Sequence, residues 1–215
     1  MPNPMSQQTT DGIMNAEYQE RARESHADPS ALLRNINEVQ ASCDVTAAQV
    51  LSWCERHGVR IATAESLTGG LLADSFVRIP GASAVFLGSA VTYDIKAKAS
   101  VLGVDADLLK SQGAVHPEVA RSMALGCAQL YAQPEYGNSV IGISTTGVAG
   151  PGPDGDKPAG LVYVGLHIPK RLSSAGMGVN EAFVLHLQGS REMVRALAVW
   201  HALQNVSYFT VGNQE

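Results

Sequence analysis

Residues 59–70, VRIATAESLTGG, decide the reading of this chain: an apolar run breaks into Glu65, Ser66, Leu67, Thr68 and a pair of glycines before LLADSF resumes at helical spacing. That order is a strand, a tight turn and a helix start. Such a junction offers small hydroxyls and unpaired backbone amides at the positive end of a helix, where an anion or a developing oxyanion is stabilised. Ser66 is therefore a candidate nucleophile. Capping of the helix is the competing reading, because Ser and Thr satisfy orphan amides at many helix starts.

The pattern extends outward on both sides. Upstream, Asp44 reads as the N-cap of TAAQVLSWCERHG, a helix with Val50, Leu51, Trp53 and Cys54 toward the core and Gly58 at its end. Before it, ALLRNINEVQ carries Leu32, Leu33, Ile36 and Val39 at helical spacing and predicts a separate short helix, packed on the domain or on a partner subunit. The segment up to Pro29 has too few large apolar residues to bury a face and reads as a tail or a loosely attached helix. Residues 1–43 are thus expected to be a polar extension and residues 44–215 the folded domain.

Downstream, the spacing predicts a helix over Leu71 to Val77, a loop at Pro80 and Gly81, and a strand from Ala84 to Tyr93. IKAKASVLGV and DADLLKSQG read as short helices, and His116 to Ala132 as a longer one with Pro117 in its first turn. Ser139 to Ser144, GLVYVGLHIP and GVNEAFVLHLQ read as strands, the last nearer an edge, and SREMVRALAVWHALQNV as a helix capped by Ser190. Alternating strands and helices imply an α/β sandwich, and the lack of a long helix between Gly160 and Leu187 implies one antiparallel hairpin in a mixed sheet.

Composition narrows the function classes. The chain has 215 residues, 45% hydrophobic and 16% charged, enough for one well-packed core. A formal net charge of -5 lacks the basic excess of a protein that grips phosphate backbones, so nucleic acid is not an expected partner. The 3 cysteines, Cys43, Cys54 and Cys127, form no CxxC pair and sit in helical patterns, as buried free thiols in a reducing compartment do. No apolar run has membrane-spanning length, and the polar N-terminus carries no export signal, so a cytoplasmic protein without a membrane partner is expected.

Further stretches carry chemistry. Ser144 to Asp156, STTGVAGPGPDGD, is a second glycine loop after a strand, and ligands favour that edge of an α/β sheet. It matches neither the P-loop nor the GxGxxG fingerprint. Thr145, Thr146 and the amides around Gly147 could nest a phosphate or sugar, or the loop could be a connector rich in turn residues. In VTYDIKAK, Tyr93 ends a strand and Lys96 and Lys98 enter a helix behind the same edge. A desolvated lysine there could take the Ser66 proton, although two solvated surface lysines fit the spacing too. Glu65 should point away from its neighbour Ser66, which favours a structural or substrate-orienting role. His116 has no partner at ligand spacing and reads as a cap or an exposed side chain; no catalytic metal is expected.

Taken in order, TAESLTGG, PGASAVFLGSAVTYDIKAKASVLGV, GAVHPEVARSMA, TTGVAGP and DGDKPAGLVYVGL make the chain resemble the C-terminal domain of the CinA (competence/damage-inducible) proteins, the NMN deamidase family, over about Val45 to Val206. The resemblance implies a three-layer α/β/α sandwich with a mixed central sheet, in a stand-alone form without the family's N-terminal nucleotide pyrophosphatase-type domain. It implies hydrolysis of nicotinamide mononucleotide to nicotinate mononucleotide and ammonia, a pyridine-nucleotide salvage step that needs no cofactor. It also implies association into a homo-oligomer, a dimer favoured.

Residue by residue, the resemblance makes Ser66 the nucleophile, Lys98 the general base and Tyr93 the residue that relays or orients the proton, leaving Lys96 at the surface. Amides near Thr68, Gly69 and Gly70 would steady the oxyanion, Glu65 would orient substrate, and Thr146, Gly147 and Gly150 would hold the ribose phosphate. The chain departs from the common pattern at Leu67, where Cys is usual, at Asp94, Ile95 and Lys96, and in the longer loop GPGPDGDK. The Ile95 change could remove a substrate hydrogen bond. Two other readings follow: a non-catalytic nucleotide-binding protein on the same fold, or an amidase for a different amide.

Overall fold

In the computed structural model, which describes residues 33, 35–172 and 178–212, the chain enters through one long helix. Val39, Cys43, Ala47, Val50, Leu51 and Cys54 follow each other at helical spacing and are all buried, so α1 runs unbroken over Ile36–Arg56. Its N-cap is Asn35, whose side chain accepts from the Glu38 amide at 3.1 Å and donates to the Glu38 carboxylate at 2.9 Å. The expected start at Asp44 is corrected: Asp44 lies inside α1, bonded to Gln40 and Arg78. The continuous apolar stripe overrides the capping signal. The polar segment before Pro29, and Leu32, lie outside the described residues, and Leu33 is not helical.

The remaining elements are β1 (Arg60–Glu65), α2 (Leu71–Val77), β2 (Phe86–Val91), α3 (Ile95–Leu102), α4 (Ala106–Gln112), α5 (Pro117–Leu130), β3 (Val140–Gly147), β4 (Leu161–Ile168), β5 (Val179–His186) and α6 (Arg191–Thr210). The sheet order is β2-β1-β3-β4-β5. β1 runs parallel to both β2 and β3, whereas β4 is antiparallel to β3 and to β5. The mixed sheet is as expected, with a second antiparallel pair beyond the single hairpin foreseen: the glycine loop itself reverses the chain between β3 and β4.

Helices cover both faces, making the expected three-layer α/β/α sandwich. On one side α1, α2 and α6 pack together, tied by Trp200 Nε1 to Ser42 Oγ at 2.8 Å and Gln204 Nε2 to Thr46 Oγ1 at 3.0 Å. On the other side α5 lies directly on β3 and β4. Gly142 and Gly165 make that approach possible, since a Cβ there would sit 1.9 Å from the Ala124 carbonyl oxygen and 2.2 Å from that of Ala120. Ser144 Oγ, 2.6 Å from the Ala120 carbonyl, fixes the helix in register.

The topology sets the position of the site. Because β1, β2 and β3 are parallel, the Ser66 turn, the Thr92–Lys98 segment and the second glycine loop all leave the sheet at one edge. β5 ends at the same edge, so α6 begins there too.

Candidate active site

Ser66 follows the last residue of β1 and is almost buried, its amide donating to the Thr145 carbonyl at 3.0 Å. Lys98, in the second turn of α3, reaches it from the neighbouring strand connection: Nζ donates to Ser66 Oγ at 3.1 Å and also to the Thr92 carbonyl oxygen. Lys98 is fully buried, and among the described residues no carboxylate lies within ion-pair distance of it. Burial lowers its pKa to about 8, the nearby Asp94 charge opposing that shift. Asp94 caps α3 through the amides of Lys96 and Ala97, which orients the turn that delivers Lys98. Lys96 is exposed, as expected.

The structure brings Ser66 and Lys98 together and separates Tyr93 from them. Tyr93 is 66% exposed, and the described partner of its hydroxyl is Arg191, which donates through Nη2 at 3.3 Å. The expected proton relay through Tyr93 is corrected accordingly: its ring lines the pocket mouth, and its hydroxyl bonds neither Lys98 nor Ser66 among the described contacts.

Glu65 is also corrected. Fully buried, its carboxylate accepts from Thr68 Oγ1 (2.7 Å), the amides of Gly70 (2.8 Å), Leu72 (3.1 Å) and Ala73 (2.9 Å), and Ser89 Oγ (2.9 Å). It occupies the positive end of α2 that sequence reading offered to a ligand, and it takes no part in lining the pocket. The expected substrate contacts of its neighbours change with it. Thr68 is fully buried, bonded to Glu65 and to Thr145 Oγ1 at 2.7 Å; the Gly69 amide donates to the Ser66 carbonyl and the Gly70 amide to Glu65. The amides left without an internal acceptor among the described residues are those of Leu67 and Thr68.

In front of Ser66 opens a pocket of ≈ 330 Å³, bounded by Leu67, Tyr93, Val115 and the loop from Thr146 to Asp154. That volume suits a small-molecule ligand. Thr146 donates its hydroxyl to the Ala114 carbonyl at 2.7 Å, so it shapes the wall and presents no free donor. Gly147 is demanded by the sheet, since a Cβ would meet the Leu161 carbonyl oxygen at 2.6 Å. Beyond it, the amides of Ala149, Gly150 and Gly152 have no internal acceptor among the described residues, forming a concave row of donors. Ile95 lies outside the pocket lining, so its departure from the family pattern leaves this wall unchanged.

Sequence reading missed Arg191 and Arg195. Arg191 opens α6, donates to the Gly150 carbonyl oxygen and to Tyr93, and is the cation of the pocket lining, as Asp154 is its carboxylate. The signal was present: a cation in the first turn opposes the helix dipole, which points to a local task. Arg195 donates to the carbonyls of Leu67 and Thr68.

Elsewhere, His116 caps α5 through the Glu118 amide. The cysteines are free and buried, and burial pushes each thiol up to about 12, leaving them unreactive at neutral pH. Among the described residues no group of three or more His, Cys, Asp or Glu could hold a metal, and no helix is long and apolar enough to cross a membrane.

The family model described as the CinA C-terminal domain matches residues 44–209. A CinA-like protein of Frankia casuarinae is 39% identical over 163 residues, 76% of this chain and 34% of the relative. The chain spans about a third of the length of the curated relatives it matches, 37% and 34% for two of them. Among solved structures, the competence/damage inducible protein CihA of Agrobacterium tumefaciens has a TM-score of 0.68 at 29% identity, covering 78% of this chain and 95% of that one. The competence damage-inducible protein A (ComA) of Klebsiella pneumoniae has a TM-score of 0.67 at 29% identity, covering 80% and 99%.

Proposed function

The chain belongs to the CinA C-terminal domain family, and from that premise we propose that it is an amidohydrolase converting nicotinamide mononucleotide to nicotinate mononucleotide and ammonia. The observation that carries the reading is the buried Lys98, unpaired with any described carboxylate and 3.1 Å from Ser66 Oγ beside an open pocket. A lysine kept for stability alone would be paired or exposed; one with its pKa lowered to about 8 is a base near neutral pH.

In the proposed reaction neutral Lys98 keeps one N–H on the Thr92 carbonyl and accepts the Ser66 proton as Oγ attacks the carboxamide carbon. The amides of Leu67 and Thr68, rather than those of Gly69 and Gly70, steady the oxyanion. Lys98 then passes its proton to the departing nitrogen, the C–N bond breaks, and ammonia leaves an acyl-serine. Water attacks the ester, its proton moving to Lys98 and on to Ser66, and the acid is released. Arg191 and the amides of Ala149, Gly150 and Gly152 would hold the phosphate, with Tyr93 beside the pyridine or ribose.

The test is ammonia release from nicotinamide mononucleotide by the wild type beside folded Ser66→Ala and Lys98→Ala variants. Both variants should lose about 10³-fold or more in turnover while still binding the nucleotide. Nucleotide binding without turnover in the wild type, unaltered by Lys98→Ala, would overturn the enzyme reading in favour of a binding module. Equal turnover of free nicotinamide would overturn the phosphate assignment, since remote binding energy should favour the mononucleotide.

A further inference from the structure

Arg195, in the second turn of α6, rests against the turn that carries Ser66: Nε donates to the Leu67 carbonyl at 2.8 Å and Nη2 to the Thr68 carbonyl at 2.9 Å. No described carboxylate lies within ion-pair distance of it, so its charge falls on two adjacent peptide groups. In a planar trans peptide the C=O and N–H point in opposite directions. Drawing the Thr68 carbonyl toward Arg195 turns the Gly69 amide away, where it donates to the Ser66 carbonyl at 3.2 Å. Drawing the Leu67 carbonyl the same way turns the Thr68 amide away from the guanidinium, and that amide has no internal acceptor among the described residues. A cation on the carbonyl end of a peptide also polarises it and strengthens its N–H as a donor.

We propose that Arg195 is a positioning residue for the oxyanion site: by holding the Leu67 and Thr68 carbonyls it orients and polarises the peptide between them, whose N–H stabilises the charge that forms when Ser66 attacks. The inference rests on Ser66 being the nucleophile, not on the identity of the amide. It gives the start of α6 two separate tasks, Arg191 at the pocket wall and Arg195 one helical turn further on, behind the nucleophile. Glu65 grips the amides on the α2 side of the same turn while Arg195 grips its carbonyls, so opposite charges hold the turn that carries the unpaired N–H groups.

The experiment uses a small alkyl fluorophosphonate, which needs no nucleotide pocket. Ser66 Oγ forms a bond to phosphorus, the P–F bond breaks, fluoride leaves, and the hydroxyl proton passes to Lys98. Labelling is followed by mass spectrometry for the wild type, Ser66→Ala, Arg195→Ala and Arg195→Lys, with folding checked by circular dichroism. The wild type should label and Ser66→Ala should not. Arg195→Ala should label about tenfold slower, less than the loss from deleting an oxyanion donor outright because the N–H itself remains. Arg195→Lys should fall between, and serves alone if the alanine variant does not fold. With nicotinamide mononucleotide, kcat should fall in the same proportion while KM stays within about threefold, a split that loosened folding would not produce. Labelling of folded Arg195 variants at the wild-type rate would overturn the inference and leave the nucleophile standing. An unlabelled wild type would overturn both. A wild type that labels but leaves the mononucleotide intact, with the Arg195 variants slowed, would sink the substrate reading and uphold the role of Arg195.

Discussion

Two glycine turns leave adjacent parallel strands at the same edge of the sheet, and their polar groups are spent in opposite ways. After β1, the turn from Ser66 to Gly70 is closed on itself except at the amides of Leu67 and Thr68: Glu65 takes the amides of Gly70, Leu72 and Ala73, and Arg195 takes the carbonyls of Leu67 and Thr68. After β3, the loop is pinned at its ends, by Val148 N to Leu161 O at 2.9 Å and Gly160 N to Val148 O at 2.8 Å, and leaves the amides of Ala149, Gly150 and Gly152 without an acceptor among the described residues. A reacting atom must be held to a fraction of an ångström, whereas a phosphate is satisfied by any concave row of donors. The same residue types, Gly, Thr and Ser, therefore make a rigid mount in one turn and a receptor in the other, and the difference lies in which charged side chains reach each: buried Glu65 and half-buried Arg195 the first, exposed Arg191 the second.

The largest effect should come from opening the closed turn. Glu65→Ala removes a buried acceptor from five donors, three of them the amides at the start of α2. A loss of about 4 kcal/mol of stability is expected, read from urea or thermal melts, since each orphaned donor keeps its desolvation cost. Glu65→Gln should recover part of it, because the amide oxygen still accepts while its nitrogen meets donors. A Glu65→Ala protein as stable as the wild type would mean that the turn is no more closed than its partner.

The open loop predicts the reverse pattern, binding lost and stability kept. Arg191→Ala should raise KM for the mononucleotide by roughly 30-fold with kcat within about threefold, because Arg191 touches the pocket wall and not Ser66. Thermal stability should move little, since Arg191 is exposed and pairs with no described carboxylate. A fall in kcat at unchanged KM would break the division of labour between the two turns.

How much of this was legible depends on range. The Ser66 turn could be read because its signals are local, β-type residues, then Ser, Thr and Gly, then a helical stripe, all within residues 59–76. The edge shared by the two loops followed from strand alternation. The helix start at Asp44 was misread because a local capping signal competed with an apolar stripe that crosses it, and burial of Val39 and Cys43 shows the stripe winning. Glu65 was correctly turned from Ser66 by strand alternation, yet its partners on α2 and β2 fix it as a cap, and that depends on tertiary register. Arg195 lies 128 positions from the Leu67 carbonyl that it binds, a separation no spacing rule spans. Tyr93 was recognisable at the edge, but whether its hydroxyl turns to Lys98 or to Arg191 is decided by α6.

Lys98 is the buried cation on the closed side, with no described carboxylate within ion-pair distance, and its pH dependence measures how complete that closure is. Its folded pKa, lowered to about 8 by burial, lies below the unfolded value of 10.5, so between those values the unfolded chain binds more protons. Stability contributed by this site therefore rises with pH through that window, and below pH 8 the folded protein carries the full cost of burying an ammonium. Lys98→Met should remove that cost: at pH 7 the variant should be more stable than the wild type by roughly 1 to 2 kcal/mol, after allowing for the lost bonds to Ser66 and Thr92, and the gap should close toward pH 10. In the wild type the same deprotonation should appear in activity as kcat/KM rising with pH to half its plateau near pH 8. If the stability gap stays flat from pH 7 to 10, water reaches Lys98 in solution, and the contrast between a sealed mount and an open receptor would reduce to the hydrogen bonds of Glu65 and Arg195 alone.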